Sequence, residues 1–518
     1  MLADELSFQI TKELRLTPTR EQAAAISVFT RFLTDRETEG NAFLRGSVMI
    51  LRGSAGTGKT TLASAIVRTM IRLRQRVVLM APTGRAAKVF SLNAGQPAYT
   101  IHRRIYRQQS LEGGFTLGFN AAADTLFFVD EASMISTQPS TSSLLPTSLL
   151  DDLVSFVYGG QNCRMILIGD MAQLPPVGEQ ESPALSADVL RSFYLNVYEC
   201  DLNEVLRQAQ DSGILWNATN IREKSLGMSR ETTGIDGECI TLLPQIRFQG
   251  FADIVMVPGD ELIESLASSY SRVGTDETMV VTRSNKRANA YNLGIRNTIL
   301  GREEELTTSD RLMVVKNKYL KNENKNENEN GNINGYGFRE APERIAKNEN
   351  INGGEAGKSL SFIANGDMAV VQRVRNVRSF YGFRFADVTI QFPDYDHEEL
   401  TTTVILDTLQ TEAPALTKEQ QQQLFTNVME DYAYLPSKKE RLKMLKEDIY
   451  YNALQIKYGY AVTCHKAQGG QWAHVYIDQG YMTDEMLTPD YIHWLYTAFT
   501  RATERLFLVN WPKNQVRL

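Results

Sequence analysis

GSAGTGKT, at Gly53–Thr60, matches the glycine-rich pattern G-x-x-x-x-G-K-[ST], and its flanks place it between a strand and a helix. The apolar run VMIL within Ser47–Arg52 precedes the loop, and a short continuous run of this kind is typical of a buried strand. After the loop, apolar residues recur at helical spacing, namely Leu62, Ala65, Ile66, Met70 and Leu73. The sequence therefore predicts a strand, a tight turn and a helix in direct succession.

The residues of this loop are suited to nucleotide phosphates. Its glycines let the backbone curl so that N–H groups point at phosphate oxygens, and the following helix adds the positive end of its dipole. Lys59 is expected to neutralise the β- and γ-phosphates, while Thr60 offers a hydroxyl to Mg²⁺. We therefore predict ATP and Mg²⁺ as cofactors, with nucleotide contacts from Gly53, Ser54, Ala55, Gly56, Thr57, Gly58, Lys59, Thr60 and Thr61.

Short apolar runs that end in polar residues recur along the first part of the chain. VVLMA at Val77–Ala81, LFFVDE at Leu126–Glu131 and MILIGD at Met165–Asp170 repeat the plan of the strand before the loop. Strands that alternate with helices form parallel sheets covered by helices, and ligands bind at the carboxyl ends of such strands. The predicted fold class is therefore α/β.

Asp130 and Glu131 form an acidic pair at the end of one of these strands. Beside a phosphate loop, one carboxylate, assigned to Asp130, would hold Mg²⁺, and the other would orient or deprotonate the attacking water. An apolar run that ends in Asp-Glu is a weak pattern alone. Combined with Gly53–Thr60, it makes hydrolysis of a nucleoside triphosphate the leading interpretation.

GDMAQLPPVG, at Gly169–Gly178, places a third set of polar residues at a strand end and stiffens the turn with Pro175 and Pro176. Gln173 could reach the γ-phosphate and report its loss. The alternative is a proline-stiffened loop without a sensing role.

A second α/β pattern begins near Met279–Thr282 and closes with Ala473–Ile477 and Leu506–Val509. Strand-like runs between its two parts, such as DMAVVQRV and ADVTIQF, predict an all-β insertion. The predicted domains are residues 1–205, residues 206–308 plus 451–518, and an insertion at 309–450. Within the insertion, the Asn/Glu-rich run at 321–358 is predicted to be disordered, and the charged stretch Thr417–Lys446 to be helical.

The order of these motifs resembles that of superfamily-one DNA helicases of the RecD and Dda branch, with a UvrD-like C-terminal motor domain. The resemblance covers nearly the whole chain and also rests on TPTREQAAAI (Thr17–Ile26), APTGRAAKVF (Ala81–Phe90), TIHRRIY (Thr100–Tyr106), LNEVLRQ (Leu202–Gln208), VVTRSNKRANAYN (Val280–Asn292), YAVTCHKAQGGQW (Tyr460–Trp472) and YTAFTRATERLFLV (Tyr496–Val509). It implies two RecA-like parallel-sheet P-loop motor domains. A β-hairpin is expected to interrupt the first at about residues 104–124, and a small β-barrel the second.

The resemblance also implies roles for single residues. Gln22 would read the adenine edge, Arg207 and Arg501 would face the γ-phosphate, and Gly469, in the motif that couples nucleotide to nucleic acid, would contact the nucleotide. Gln471 departs from the family, in which a glutamate often stands there and contacts the ribose, so nucleotide preference is expected to be looser. Contacts to a single strand are implied for Pro82, Thr83, Arg85, Thr100, His102, Thr463 and His465. For the two histidines, an ordinary hydrogen-bonded role is the alternative.

The expected hairpin lies within Tyr106–Ala122, where it would act as the wedge that separates strands. Its turn contains Gly113 and Gly114, and its aromatic residues are Phe115 and Phe119. These aromatic side chains either meet the duplex or only pack the hairpin, and the sequence favours neither.

Bulk composition limits the remaining classes. A net charge of −6 over 518 residues argues against coating of DNA by bulk charge, although Arg68–Arg107 is a local basic segment without Asp or Glu. The four cysteines lack metal or disulfide spacing. No signal peptide or membrane-spanning run is recognised. We expect a monomeric cytoplasmic protein, with single-stranded and forked DNA and replication or repair proteins as partners.

The leading functional prediction is an ATP-dependent DNA helicase that translocates 5′→3′ on single-stranded DNA, with the polarity taken from the resemblance alone. One alternative is an RNA helicase of the same superfamily. Another is a nucleic-acid-stimulated ATPase that remodels complexes without unwinding. A helicase–nuclease subunit is a further class, but the sequence offers no separate nuclease-like carboxylate cluster.

Overall fold

The computed structural model describes residues 2–35, 44–108, 115–139, 147–205, 211–228, 244–320, 362–480, 482, 486 and 488–517. Among the helices in these ranges, none has the length and apolar character needed to cross a membrane.

The first motor domain is built on a sheet of six parallel strands. They are β1 (Gly46–Gly53), β2 (Arg76–Ala81), β3 (Ala98–Thr100), β6 (Thr125–Val129), β7 (Arg164–Gly169) and β8 (Leu195–Leu202), and a separate pair is formed by β4 (Tyr106–Gln108) and β5 (Phe115–Leu117). The order of the strands across the sheet is β3-β2-β6-β7-β1-β8. Its helices are α1 (Leu2–Leu14), α2 (Arg20–Thr34), α3 (Lys59–Arg72), α4 (Gly84–Ala94), α5 (Ile101–Ile105), α6 (Leu149–Tyr158) and α7 (Ala187–Ser192), with short 3-10 turns at Ala132–Met134 and Pro183–Leu185.

Helices cover both faces of this sheet, which explains why its central strands are continuously apolar. Met49 and Leu51 of β1 belong to a core with Phe29 of α2, whereas Val48 and Ile50 of the same strand pack in a core with α6. Alternate residues of one strand therefore reach opposite helical layers. The strand–loop–helix order predicted around Gly53–Thr60 is confirmed by β1 and α3.

The hairpin expected in the first domain is present as β4 and β5, which pair antiparallel with Tyr106 opposite Leu117. The predicted turn, with Gly113 and Gly114, lies outside the described residues, as does the side chain of Phe115. Phe119, just after the hairpin, is 86% exposed. This exposure leaves both interpretations of the aromatic residues open.

In its described residues, the second motor domain begins with three helices and three strands. They are α8 (Gly213–Met228), α9 (Leu262–Val273) and α10 (Asn285–Gly294), followed by a π-helical turn at Ile295–Ile299, with β9 (Ile246–Arg247), β10 (Ile254–Val257) and β11 (Thr278–Thr282).

The predicted all-β insertion is a closed barrel of five strands in the order β12-β15-β16-β17-β18. Its elements are β12 (Arg311–Val314), β13 (Lys318–Tyr319), β14 (Phe362–Ile363), β15 (Met368–Phe380), β16 (Phe383–Phe392), β17 (Glu398–Ile405), a 3-10 turn (Leu406–Thr408), α11 (Lys418–Asp431), α12 (Lys438–Glu447) and β18 (Leu454–Tyr458). The closing strand β18 extends the barrel beyond the predicted end at residue 450, because it pairs with both β12 and β17. The Asn/Glu-rich run at 321–358 lies outside the described residues.

The chain returns to the second motor domain with β19 (Ala461–Thr463), α13 (Cys464–Ala467), β20 (Trp472–Asp478), α14 (Pro489–Phe499), β21 (Ala502–Val509), a 3-10 turn (Lys513–Gln515) and β22 (Val516–Arg517). Its sheet is parallel throughout, in the order β10-β21-β20-β11-β19. The two parallel-sheet motor domains, the hairpin and the barrel together confirm the predicted fold class.

Candidate functional site

The strand order of the first sheet gathers three polar strand ends at one edge. In that sheet β7 lies between β6 and β1, and all three strands are parallel. Asp130 and Glu131 follow β6, Asp170 follows β7, and the phosphate loop Gly53–Thr60 follows β1. The predicted hydrolysis residues therefore meet at one edge because of topology, although β6 and β1 are far apart in sequence.

Two glycines shape the phosphate loop. Gly56 and Gly58 both have φ of 77°, a left-handed conformation that side chains disfavour. Lys59, the first residue of α3, donates from Nζ to the Ser54 carbonyl at 3.0 Å and lies 3.9 Å from Asp170 Oδ2. The lysine thus curls back over its own loop, where phosphate oxygens can replace the carbonyl as its partner.

The acidic pair lies in a strained and poorly solvated position. Glu131 has φ of 52°, which is unusual for a residue with a side chain, and its N–H donates to Asp130 Oδ1 at 2.8 Å. Desolvation, together with the negative charge of Glu131, raises the pKa of Asp130 to about 7. A divalent cation would relieve this crowding of negative charge.

The donor set fits Mg²⁺ bound jointly with phosphates. Thr60 and Asp130 would supply a hydroxyl and a carboxylate, and the described residues contain no group of three or more acidic, histidine or cysteine side chains able to hold a metal alone. Mg²⁺ commonly takes one or two protein oxygens and completes its shell with phosphates and water. The Thr60 and Asp130 assignments therefore remain predictions that the donor chemistry supports.

Gln173 lies in the loop after β7 and is 6% exposed, and its Oε1 accepts no hydrogen bond from the described residues. The next residue binds the second motor domain. Leu174 N–H donates to Thr497 Oγ1 of α14 at 2.7 Å, and its carbonyl accepts from Gln468 Nε2 at 2.6 Å. The Gln173 loop therefore bridges the two motor domains, which a purely local proline turn would not require.

Helix α14 of the second motor domain also contacts the phosphate loop directly. Tyr496 is 1% exposed, and its hydroxyl accepts from Ala55 N–H at 2.9 Å and donates to Asp170 Oδ2 at 2.6 Å. Tyr496 belongs to the same motif as Arg501, Tyr496–Val509, but nothing in its sequence environment distinguishes it from a tyrosine buried in a core. We refer to the space between the phosphate loop, α8 and α14 as the cleft.

Arg207 and Arg501 are the two arginines predicted to face the γ-phosphate. Arg207 lies outside the described residues. Arg501 is 2% exposed and does not point into the cleft: it donates to the carbonyls of Thr497 and Gly470 and to Thr500 Oγ1. In this conformation Arg501 ties α14 to the loop before β20, so its contact with a γ-phosphate stays a prediction.

Gln22 reaches the phosphate loop rather than open space. Its Nε2 donates to the Thr57 carbonyl at 3.0 Å, and its Oε1 accepts from Thr19 N–H at 3.1 Å in a capping box at the start of α2. Both ends of the amide are therefore occupied. The second N–H of Nε2 and the second lone pair of Oε1 are the groups left to read an adenine edge.

The three threonines predicted to grip a strand occupy equivalent positions. Thr100 and Thr463 end β3 and β19, Thr83 follows β2 after one residue, and the three are the N-cap residues of α5, α13 and α4. The hydroxyls of Thr83 and Thr100 accept from the N–H groups of Ala86 and Arg103, at 3.3 Å each. These hydroxyls thus serve as caps here, and a nucleic-acid contact would be an additional role.

The coupling motif packs on the first motor domain near Thr83. Gly469 has φ of 72°, and a Cβ on it would come within 3.0 Å of Thr83 Oγ1. Arg85 lies over the Trp472 ring at 4.7 Å, donates to the Gln471 carbonyl and is 3.5 Å from Glu277. Gly469, predicted to contact nucleotide, therefore lies beside the predicted strand-gripping residues.

The barrel also packs on the first motor domain, beside Thr83 and Arg85. A Cβ on Gly84, beside the half-buried Pro82, would lie 2.6 Å from both Asp367 Oδ1 and Tyr395 Oη of the barrel. Burial raises the pKa of Asp367 to about 7.

His102 stacks on Phe362 of β14 with ring centroids 5.9 Å apart, and burial lowers the pKa of this histidine to about 4. His102 is therefore neutral at physiological pH and cannot pair with phosphate as a cation in this conformation.

Lys466, between the predicted contact His465 and the coupling loop, was not among the predicted residues. His465 is exposed, whereas the Lys466 ammonium is buried and has no hydrogen-bond partner among the described residues. Burial lowers the pKa of Lys466 to about 8. It lines a small cavity with Thr83 and Arg85 at the junction of both motor domains and the barrel.

Two protein families match the chain. The AAA domain matches residues 40–232, which belong largely to the first motor domain. The UvrD-like helicase C-terminal domain matches residues 458–509, which contain β19, β20, α14 and β21.

Among curated proteins, the chain is similar to the ATP-dependent RecD2 DNA helicase of Deinococcus radiodurans, with 33% identity over 25% of this chain and 16% of that protein. It is also similar to the ATP-dependent DNA helicase dda of Enterobacteria phage T4, with 30% identity over 33% of this chain and 37% of that protein. The matched part thus spans well under half of the length of these relatives. Among solved structures, a Bacteroides Pif1 helicase in complex with ADP-AlF3 and ssDNA gives a TM-score of 0.44 at 14% identity, over 97% of this chain and 95% of that one.

Proposed function

We propose that this chain, which joins an AAA domain to a UvrD-like helicase C-terminal domain, is an ATP-driven helicase that moves along single-stranded DNA. The contact of Tyr496 with the phosphate loop carries the proposal, because it brings the second motor domain directly onto the groups that would bind ATP. Hydrolysis at that loop can then alter the position of one domain against the other. The names of the similar proteins from Deinococcus radiodurans and phage T4 agree with this activity.

A continuous set of contacts supports transmission from nucleotide to strand. Tyr496 touches the phosphate loop, and the carbonyl of the next residue, Thr497, accepts at 3.0 Å from Nε of Arg501, four residues further along the chain. Arg501 in turn donates to the Gly470 carbonyl at 3.1 Å, and the adjoining Gly469 packs on Thr83 of the predicted strand-gripping surface. A shift of α14 would therefore move this surface too.

The predicted strand contacts are proposed to bind phosphates. Thr83, Arg85 and Lys466 come together at one cavity from both motor domains, and a buried ammonium without a partner is stabilised by an anion. The cavity, at about 20 Å³ of free volume, accepts little more than a water molecule. A DNA phosphate would therefore enter only after the barrel and the first motor domain move apart.

Replacing Lys466 by methionine is expected to weaken single-stranded DNA binding and to flatten its salt dependence. Loss of one phosphate contact lowers the slope of log affinity against log salt by about 0.7 for a single strand. Fluorescence anisotropy of labelled oligothymidine at several salt concentrations measures both quantities.

Lys457 provides a matched control for this variant, because burial also lowers its pKa to about 8, but its ammonium donates to the Thr411 carbonyl. Lys457→Met should leave the salt slope unchanged. An unaltered slope in Lys466→Met, with the wild-type protein binding normally, would contradict the assignment.

Unwinding of duplexes with a 5′ or a 3′ single-stranded overhang tests the proposed function. We propose 5′→3′ movement, so release of the strand should require ATP, Mg²⁺ and the 5′ overhang, with the Lys59→Ala protein as the inactive control. Hydrolysis stimulated by DNA without strand release would favour a remodelling ATPase. Stronger stimulation by RNA than by DNA of the same sequence would favour an RNA helicase.

A further inference from the structure

Arg222 reaches the phosphate loop from the second motor domain. It lies on α8, which packs extensively against α14 of that domain. Its guanidinium donates from Nη1 to Ser54 Oγ at 2.7 Å and to Asn203 Oδ1 at 3.2 Å, and the residue is 9% exposed. Arg222 therefore brings a positive charge from one domain to the nucleotide-binding loop of the other.

This guanidinium is buried and has no counter-ion in the part of the chain that the structure describes. Among the described residues no carboxylate forms an ion pair with Arg222, and its buried Nε has no hydrogen-bond acceptor. Elsewhere the chain pairs a buried arginine fully: Arg296 binds both carboxylate oxygens of Asp310 at 2.9 Å each. Burying an unpaired charge or an unsatisfied donor is costly, so the surroundings of Arg222 are incomplete without an anion.

We infer that Arg222 binds the phosphates of the nucleotide across the cleft. The inference rests on the proposed function for its ligand, because the loop that Arg222 touches is the predicted phosphate loop. Guanidinium groups suit this task, since they remain charged and bind phosphate oxygens through several N–H groups. Arg501 has its guanidinium occupied by Thr497, Gly470 and Thr500, so among the described arginines of the second motor domain it is Arg222 that reaches the loop.

Replacing Arg222 by methionine is expected to weaken nucleotide binding about tenfold or more, because a charged hydrogen bond to phosphate is lost. Arg222→Lys should keep part of the affinity through its point charge. Binding of a fluorescent ADP and of ATPγS with Mg²⁺ measures the effect, and circular dichroism with thermal melting confirms folding. Arg247→Met is the control, because the Arg247 guanidinium lies over the rings of Trp216 and Phe251 on the same part of the second domain.

Combining Arg222→Met with Ser54→Ala distinguishes two roles of Arg222. One is a direct contact with phosphate, and the other is positioning of the phosphate loop through Ser54. If Arg222 binds phosphate, Arg222→Met loses about the same factor in affinity with or without Ser54, as in a double-mutant cycle without coupling. Unchanged affinity in Arg222→Met, or a loss that vanishes in the Ser54→Ala background, would overturn the inference. A wild-type protein that binds no nucleotide would overturn the proposed function itself, whereas normal wild-type binding confines any failure to Arg222.

Discussion

The Lys59→Ala protein is expected to hydrolyse ATP at least about 1,000-fold more slowly than the wild type, because one preorganised charge at a transferring phosphate supports a rate factor of that order. Lys59 Nζ rests on the Ser54 carbonyl at 3.0 Å and 3.9 Å from Asp170, at the start of α3. No other lysine ammonium among the described residues is hydrogen-bonded to this loop. Nucleotide binding should weaken in the same variant, since Lys59 would contact ground state and transition state alike.

Phosphate release measured with and without oligothymidine tests this prediction. The fold should persist, because Lys59 makes one hydrogen bond to its own loop and its side chain is partly exposed. Lys12→Ala, an exposed lysine on α1, is the control for loss of a positive charge. Hydrolysis within tenfold of the wild type in Lys59→Ala would show that the site is misplaced.

The parallel sheets could be predicted because their strands are buried on both faces. VMIL, LFFV and MILI are continuous apolar runs, so they mark strands without any knowledge of partners. Once the strands are parallel, their carboxyl ends share an edge, but only the strand order, with β7 between β6 and β1, places Asp130 near Gly53–Thr60. The resemblance to superfamily-one helicases, drawn from the same motifs, is confirmed by the AAA and UvrD-like matches.

Contacts between domains could not be predicted in this way. Tyr496 and Ala55 are 441 residues apart, and a buried tyrosine on an apolar helix has the same pattern whether it packs in a core or reaches a loop. Arg222 gives no local signal at all. The same limit applies to the predicted end of the insertion at residue 450, because the buried strand β18 alternates apolar residues with Gln455 and Lys457 and only its pairing with β12 and β17 places it in the barrel.

The residue roles implied by the resemblance are those of a nucleotide-bound state. In the present conformation several of these residues make other contacts. Gln22 and Arg501 have their polar groups satisfied by nearby protein atoms, and Arg85 lies on Trp472. Such bonds are inexpensive to exchange when a charged ligand offers better partners. The assignments for Gln22, Arg85 and Arg501 therefore remain predictions, as do those for Arg207 and the Asn/Glu-rich run, which lie outside the described residues.

Glu131→Gln is expected to lower ATP hydrolysis about 100- to 10,000-fold, the range of a lost general base, while nucleotide binding stays close to the wild type. Glutamine matches glutamate in size and can keep the same backbone, which matters because Glu131 has φ of 52°. The variant should therefore hold ATP and single-stranded DNA together without turnover. Lys59→Ala should bind nucleotide poorly, so the pair of variants separates binding from chemistry.

Asp130 provides the decisive comparison for the role of Glu131. Its pKa is raised to about 7 by desolvation and by the charge of Glu131, so without a cation it is partly protonated near neutral pH. Bound Mg²⁺ would drive this proton off and leave Asp130 as a metal ligand, which is a poor position for a base. Asp130→Asn should therefore raise the Mg²⁺ concentration needed for half-maximal hydrolysis, whereas Glu131→Gln should not. If Glu131→Gln instead kept wild-type hydrolysis while Asp130→Asn lost it at saturating Mg²⁺, the base would be Asp130, and the strained backbone at Glu131 would serve only to orient its neighbour.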